Sequence, residues 1–288
     1  MTLRRLIVNG DDFGISQEVN EAVIFAFRHG ILTSTSLMVS GEAFEQAVAL
    51  AKESPGLAVG LHVTCASGRP VLPPARLTHV VGKEGCFPAD PGLAGLNYFF
   101  SRAARKEITK EIAAQFENFA RSGLEFSHVD SHCHLHVHPV VLDAMVEIAQ
   151  SYGIKRIRVP ADNFFSALPF LRSSVKSGAY AIIFKLLTQR MKRILPPRGF
   201  IFPKTVYGNL LSGKMSLQYV LWLLDNLQEG TSELYLHPAM PREADRKIDA
   251  RRLQRFTEFS ILIHPEVREK IARSQISLST YHDLEKQI

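Results

Sequence analysis

Short apolar runs alternate with amphipathic stretches from residue 6 to residue 279, and this rhythm restricts the chain to few folds. A short apolar run bounded by turn signals reads as a buried strand, and an amphipathic stretch as a helix lying over it. Repeating the two builds βα units on a parallel sheet. Strands are expected at 6–9, 35–39, 57–62, 126–130, 154–159, 233–237 and 276–279, with a short strand or a loop at 205–208. Helices are expected at 17–28, 43–52, 103–121, 140–152, 216–227 and 250–273, the first opened by Ser16 as N-cap and the third burying Ile108, Ile112, Phe116 and Phe119. Seven or eight units without a repeat or a low-complexity linker fit one irregular (β/α) barrel, with residues 1–288 as a single domain. Two stretches break the rhythm. Residues 64–101 are crowded with Gly and Pro, and 163–204 are apolar and basic together, so both are expected as long irregular loops.

Composition removes several classes. At 46% hydrophobic and 22% charged the chain can bury a large core, which excludes disorder and coiled coil. Apolar segments meet Lys, Arg or Pro before the ~20 residues that a spanning helix needs. Three polar-bounded apolar residues near the start are too few for a signal-peptide core, so a cytoplasmic location is expected. Cys65, Cys86 and Cys133 form no disulfide framework and no CxxC pair. Lys and Arg exceed Asp and Glu by 34 − 28 = 6, but the surplus is spread among apolar residues, and no nucleic-acid fold signature accompanies it.

In a barrel of this kind the chemistry sits at the carboxyl ends of the strands. Those ends carry Asp11-Asp12, His62, Asp130 to His136, Arg158 and His237. An acidic pair can be a helix cap and a turn, or one carboxylate can bind a metal while its neighbour acts as a base. The tract His128, His132, His134, His136 and His138 is harder to explain as packing. If it stays extended, alternation puts His128, Asp130, His132, His134 and His136 on one side, where neutral imidazoles suit a divalent cation. His138, before Pro139, reads as a helix cap. A carboxylate with two imidazoles leaves coordination positions open for water and substrate. Asp11 and His237 are placed to act as base and acid, and Arg158 to orient the base or an oxyanion, or simply to form a surface ion pair.

Four ordered motifs resemble one family. Val8-Asn9-Gly10-Asp11-Asp12-Phe13-Gly14, Gly60-Leu61-His62, His128 to His136 and Leu236-His237-Pro238-Ala239 are similar to the YdjC/ChbG carbohydrate deacetylases. Gly68 to Pro74, Tyr98-Phe99-Phe100-Ser101 and His136-Val137-His138-Pro139 resemble the hopanoid-biosynthesis branch, HpnK. The resemblance implies an irregular (β/α) barrel related to the polysaccharide deacetylases. It implies Asp12, His62 and His132 as ligands of one divalent ion, zinc or magnesium, with Asp11 as general base and His237 as general acid. Arg158 would steady the base, and Asp130, His134 and His136 would face the substrate or support the site.

The expected reaction is removal of acetyl from an N-acetylated amino sugar, with N-acetylglucosaminyl-hopanoid favoured and N-acetylchitooligosaccharides as the alternative. A metal-dependent phosphoesterase would need a second acidic cluster for a second metal, and a non-catalytic lipid-sugar binding module a closed metal site. The expected partners are the sugar or glycolipid substrate, a second copy in a homodimer, and the anionic inner face of the membrane. The last rests on Phe164, Phe165, Leu168, Phe170, Leu171 and the apolar residues 182–187, interleaved with Lys185, Arg190, Lys192, Arg193 and Arg198; the alternative for this stretch is a pair of ordinary barrel helices whose apolar face packs on the sheet.

Overall fold

The computed structural model describes residues 3–162, 170, 175–241 and 249–287. Its strands are β1 (Arg4–Phe13), β2 (Ser34–Leu37), β3 (Ala58–Val63), β4 (Val129–Ser131), β5 (Thr205–Tyr207), β6 (Gly230–Leu236) and β7 (Ile276–Ser279). All pairings are parallel, in the order β4-β3-β2-β1-β6-β5, with β7 added against the first half of β1. The expected strand at 154–159 reduces to two isolated bridges, Val129 to Ile157 and Arg156 to Ile201. The sheet is therefore a curled, incomplete barrel with seven strands among the described residues, rather than seven or eight full βα units. Because every strand runs the same way, their carboxyl ends share one rim.

Helices α1 (Gln17–His29), α2 (Phe44–Lys52), α4 (Arg102–Arg121) and α5 (Pro139–Ser151) lie near their expected positions. Ser16 caps α1, its hydroxyl accepting from the Val19 N–H. Ile108, Ile112, Phe116 and Phe119 of α4 are all fully buried, as their spacing requires.

Three expectations need correction. Residues 91–100, expected to be irregular, form helix α3 (Pro91–Phe100): Asp90 caps it and Pro91 occupies its first position, where proline starts a helix instead of breaking one. The stretch 163–204 contains the 20-residue helix α6 (Val175–Ile194), so a loop throughout gives way to the alternative reading of a helix there. Phe164, Phe165, Leu168 and Leu171 lie outside the described residues. The expected helix 250–273 is two, α8 (Ala250–Leu262) and α9 (Pro265–Arg273), divided where His264 caps the second; α7 (Leu217–Asp225) precedes β6. No helix of the described residues is long and apolar enough to cross a membrane.

The loop 64–90 is tied down from beneath. Buried Glu111 of α4 accepts the Val71 and Leu72 N–H groups at 2.8 and 2.9 Å, and Gln115 bonds both backbone groups of Thr64. This fixes the wall beside the end of β3.

Candidate active site

On a regular strand, Asp11 and Asp12 would point to opposite faces. The register of β1 against β2 shifts between Gly10 and Phe13, and Asp12 adopts a left-handed backbone with φ of 67°. This bulge turns both carboxylates toward the rim, at a cost of ~1–3 kcal/mol for the strained residue.

Asp12 Oδ1 lies 3.5 Å from His62 Nε2 and 2.9 Å from His132 Nδ1. Three elements thus bring one carboxylate and two imidazoles together, with ligand atoms within 4.8 Å of one another. The other nitrogen of His62, Nδ1, is 2.7 Å from Asp130 Oδ1, the carboxylate support that orients a metal-binding imidazole. His132 is partly exposed at the rim, so the set is reachable. Residues of this kind and spacing fit a single divalent cation with open positions. A second possible set, Asp11, His62 and Asp130, shares His62 and commits its carboxylates elsewhere, which argues against two metals side by side.

Asp11 is clamped by Arg158, whose Nη1 and Nη2 donate to Oδ2 and Oδ1 at 2.8 and 2.7 Å. Asn9 Nδ2, two residues earlier on the same face, donates to Oδ1 at 2.8 Å. Burial alone would raise the Asp11 carboxyl, but the guanidinium outweighs it, and the net shift is downward. Arg158 is fully buried, so the surface ion pair expected as its alternative role is ruled out.

His237 follows β6. Its backbone N–H donates to Glu258 Oε2 at 2.5 Å, and its Nδ1 lies 3.5 Å from the same oxygen. Burial opposes the imidazolium, yet the bond to Glu258 and the charge of Asp12 prevail and raise its pKa. In the same way burial is overcome at His62, which rises to about 9 through Asp130 and Asp12, and at His132 through Asp12. Asp12 is held well below the usual carboxylate range against its burial by His132 and Arg255.

The histidine tract does not remain extended. β4 ends at Ser131, and a 3-10 turn, His132–Val137, follows with Cys133 and His134 at φ of 55° and 51°. The ladder of imidazoles on one face is thereby dispersed. His128 lies under the site against Gly60, where a Cβ would stand 2.4 Å from the ring, and burial lowers it to about 3. His136 accepts from Ser131 at Nδ1 and donates from Nε2 to the Arg158 carbonyl, 2.7 and 3.0 Å, and burial lowers its pKa to about 4 despite the latter bond. His134 Nε2 meets Tyr235 Oη at 2.8 Å, and its buried Nδ1 has no hydrogen-bond partner among the described residues. His138 occupies the N-cap position of α5 without a capping side-chain bond.

Sequence reasoning missed Asn9, Glu233, Tyr235, Arg255 and Glu258. Glu233, Tyr235 and His237 alternate along β6, so the period of two could have exposed the first two. Arg255, whose Nη2 pairs with Asp12 Oδ2, and Glu258 lie one turn apart on α8, with no local signal linking them to a strand end.

The YdjC-like protein family matches residues 5–273. The chain is 34% identical over 281 residues to a carbohydrate deacetylase of Brevibacillus brevis, covering 97% of this chain and 99% of that one. It is 32% identical over 289 residues to a chitooligosaccharide deacetylase of Proteus mirabilis, covering 97% and 98%. Among solved structures, an Enterococcus faecalis protein described as a candidate cellobiose-phosphate cleavage protein superposes with a TM-score of 0.73 at 24% identity, over 98% of this chain and 99% of that one. A fold match at that length accompanies the sequence match end to end, and the chain belongs to the YdjC-like protein family.

Proposed function

We propose that the chain is a metal-dependent hydrolase that removes acetyl from an N-acetylated amino sugar, releasing acetate and the free amine. What supports this reading is a possible three-ligand cation set, Asp12, His62 and His132, accompanied at the strand ends by Asp11 held by Arg158 and His237 held by Glu258. A divalent ion on those ligands would polarise the acetyl carbonyl and make water more acidic. Asp11, held ionised by Arg158, accepts the proton that the attacking water loses. His237, kept protonated by Glu258, donates a proton to the departing nitrogen as the C–N bond breaks. The activities named for the Brevibacillus and Proteus relatives support the same class.

Within that class we favour a lipid-linked amino sugar such as N-acetylglucosaminyl-hopanoid, the substrate implied by the resemblance to the HpnK branch. Two helices that reach the histidine turn support this choice. Phe99 of α3 packs edge-on to His138, and Phe184 of α6 to His134. Both helices then turn large apolar side chains to solvent: Leu96 is 57% and Phe100 77% exposed, Ile182 63% and Leu186 60%. Exposed Lys185 and Arg193 stand among them, while Arg190 pairs with Asp143 at 3.3 Å. Such a basic, apolar rim suits the surface of an anionic bilayer. N-acetylchitooligosaccharides are the second reading, favoured by the chitooligosaccharide deacetylases among the relatives.

Acetate release by the metal-loaded protein, measured in parallel on the lipid-linked sugar and on N-acetylchitooligosaccharides, tests both levels. Release from neither overturns the deacetylase reading. Equal rates on the two, or no salt-sensitive flotation with anionic liposomes, overturns the lipid-linked one, for which charge reversal at Lys185 and Arg193 should weaken binding.

A further inference from the structure

The Arg158 guanidinium makes four hydrogen bonds and one further ion pair within the site. Two go to Asp11, Nη1 has a second contact with Asp130 Oδ2 at 2.6 Å, and Nε and Nη2 reach Glu233 Oε1 at 3.0 and 2.7 Å. Held by Asp11 alone, the guanidinium could pivot about that two-point contact. Asp130 on one flank and Glu233 on the other remove the freedom.

Glu233 has no role in the proton transfers or the cation set, and burying a carboxylate costs several kcal/mol unless it is well paired. Its free oxygen, Oε2, is taken by the hydroxyl of Tyr281, which donates at 2.5 Å. Tyr281 lies after β7, beyond the 5–273 span of the family match, and is fully buried. Its ring stacks on His128, centroids 3.8 Å apart and planes 8° from parallel. His128 continues to Ser36 at 3.1 Å, and Ser36 donates to Asp130 Oδ2 at 2.9 Å. Tyr281 therefore reaches both flanks of Arg158, Glu233 directly and Asp130 through His128 and Ser36.

We infer that Glu233 and Tyr281 are positioning residues that set the guanidinium of Arg158 and, through it, the carboxylate of Asp11. The inference rests on the proposed role of Asp11 as base. It assigns to the segment after β7 a part in catalysis without any contact with substrate.

Tyr281→Phe is the test, because it keeps the ring on His128 and removes only the hydroxyl; Glu233→Gln is the second variant. With N-acetylchitooligosaccharide as substrate, Tyr281→Phe should lower kcat by about tenfold, less than the ~10²-fold that a full 1 Å misplacement can cause. KM and the metal affinity measured by calorimetry should stay within about twofold, since an effect on transition-state alignment appears in kcat. Glu233→Gln should lower kcat further with the same split. A wild-type kcat in Tyr281→Phe overturns the inference, as does a loss shared with KM or with metal affinity. The two levels separate through Asp11→Asn. If the wild type releases acetate from neither this substrate nor the lipid-linked sugar, or Asp11→Asn is as active as wild type, the base assignment fails and takes the inference with it. An inactive Asp11→Asn beside an unaffected Tyr281→Phe refutes the positioning role alone.

Discussion

Replacing Arg158 by lysine keeps the buried charge and removes the fork. The guanidinium makes five contacts of 2.6–3.0 Å with Asp11, Asp130 and Glu233. A lysine ammonium has three donors radiating from one atom, so at least two contacts go unmade. Hydrogen bonds to charged groups contribute about 1.5–3 kcal/mol each, which puts the loss at about 3–6 kcal/mol. Against a typical total of ~5–15 kcal/mol, the variant should fold but melt earlier, by roughly 6–24 °C at ~2–4 °C per kcal/mol. The functional effect should exceed what instability alone produces. Asp11 would keep a counter-charge and lose its two-point alignment, so kcat on an acetylated sugar should fall by about 10²-fold. Asp12 and His132 make no contact with Arg158, and His62 keeps its own bond to Asp130 Oδ1, so calorimetry should find the metal bound as before. Thermal melts, steady-state kinetics below the melting range and metal titration together decide the matter. A wild-type kcat, or parallel losses of activity and metal affinity, would refute the reasoning.

Three further outcomes are expected. Glu258 raises the pKa of His237, and an acid works only while protonated, so activity should fall as pH climbs through that raised value; Glu258→Gln should move this alkaline limb to lower pH in a pH–rate profile. His62, at about 9 without metal, and His132, also raised, must each shed a proton to ligate a cation. Calorimetry of metal binding at neutral pH in buffers of different ionisation enthalpy should therefore detect proton release, and affinity should increase with pH. Gly60→Ala would set a Cβ 2.4 Å from the His128 ring, and the overpacking should cost about 1–3 kcal/mol in a denaturant melt.

The strand ends were legible because apolar runs of a parallel sheet stop where polar residues begin. Asp11, Asp12, His62, Arg158 and His237 all stand out on that basis. What periodicity could not supply was any interruption of the period. The bulge that turns Asp12 beside Asp11, and the left-handed pair Cys133 and His134 that breaks up the histidine ladder, are local backbone departures invisible to a rule of two. Helix α3 was hidden by its own Pro91 and two glycines, which punctuate a sequence whether they end a helix or begin one. Glu258 and Arg255 reach the rim from a helix far along the chain, and only tertiary packing identifies them.

The buried charges around Arg158 also set an order of assembly. The residue bonds to groups 147 positions before it and 75 after it, and the tyrosine that completes Glu233 lies 48 positions later still. At a synthesis rate of ~5–20 residues per second, roughly 6–25 s pass between the appearance of Arg158 and that of Tyr281. Throughout that interval the guanidinium and its carboxylates have no finished interior to enter and must stay hydrated. Early strands can pair as they emerge, but the interior around Arg158 cannot dry until Tyr281 arrives, so the nascent protein acquires its shape before it acquires its chemistry.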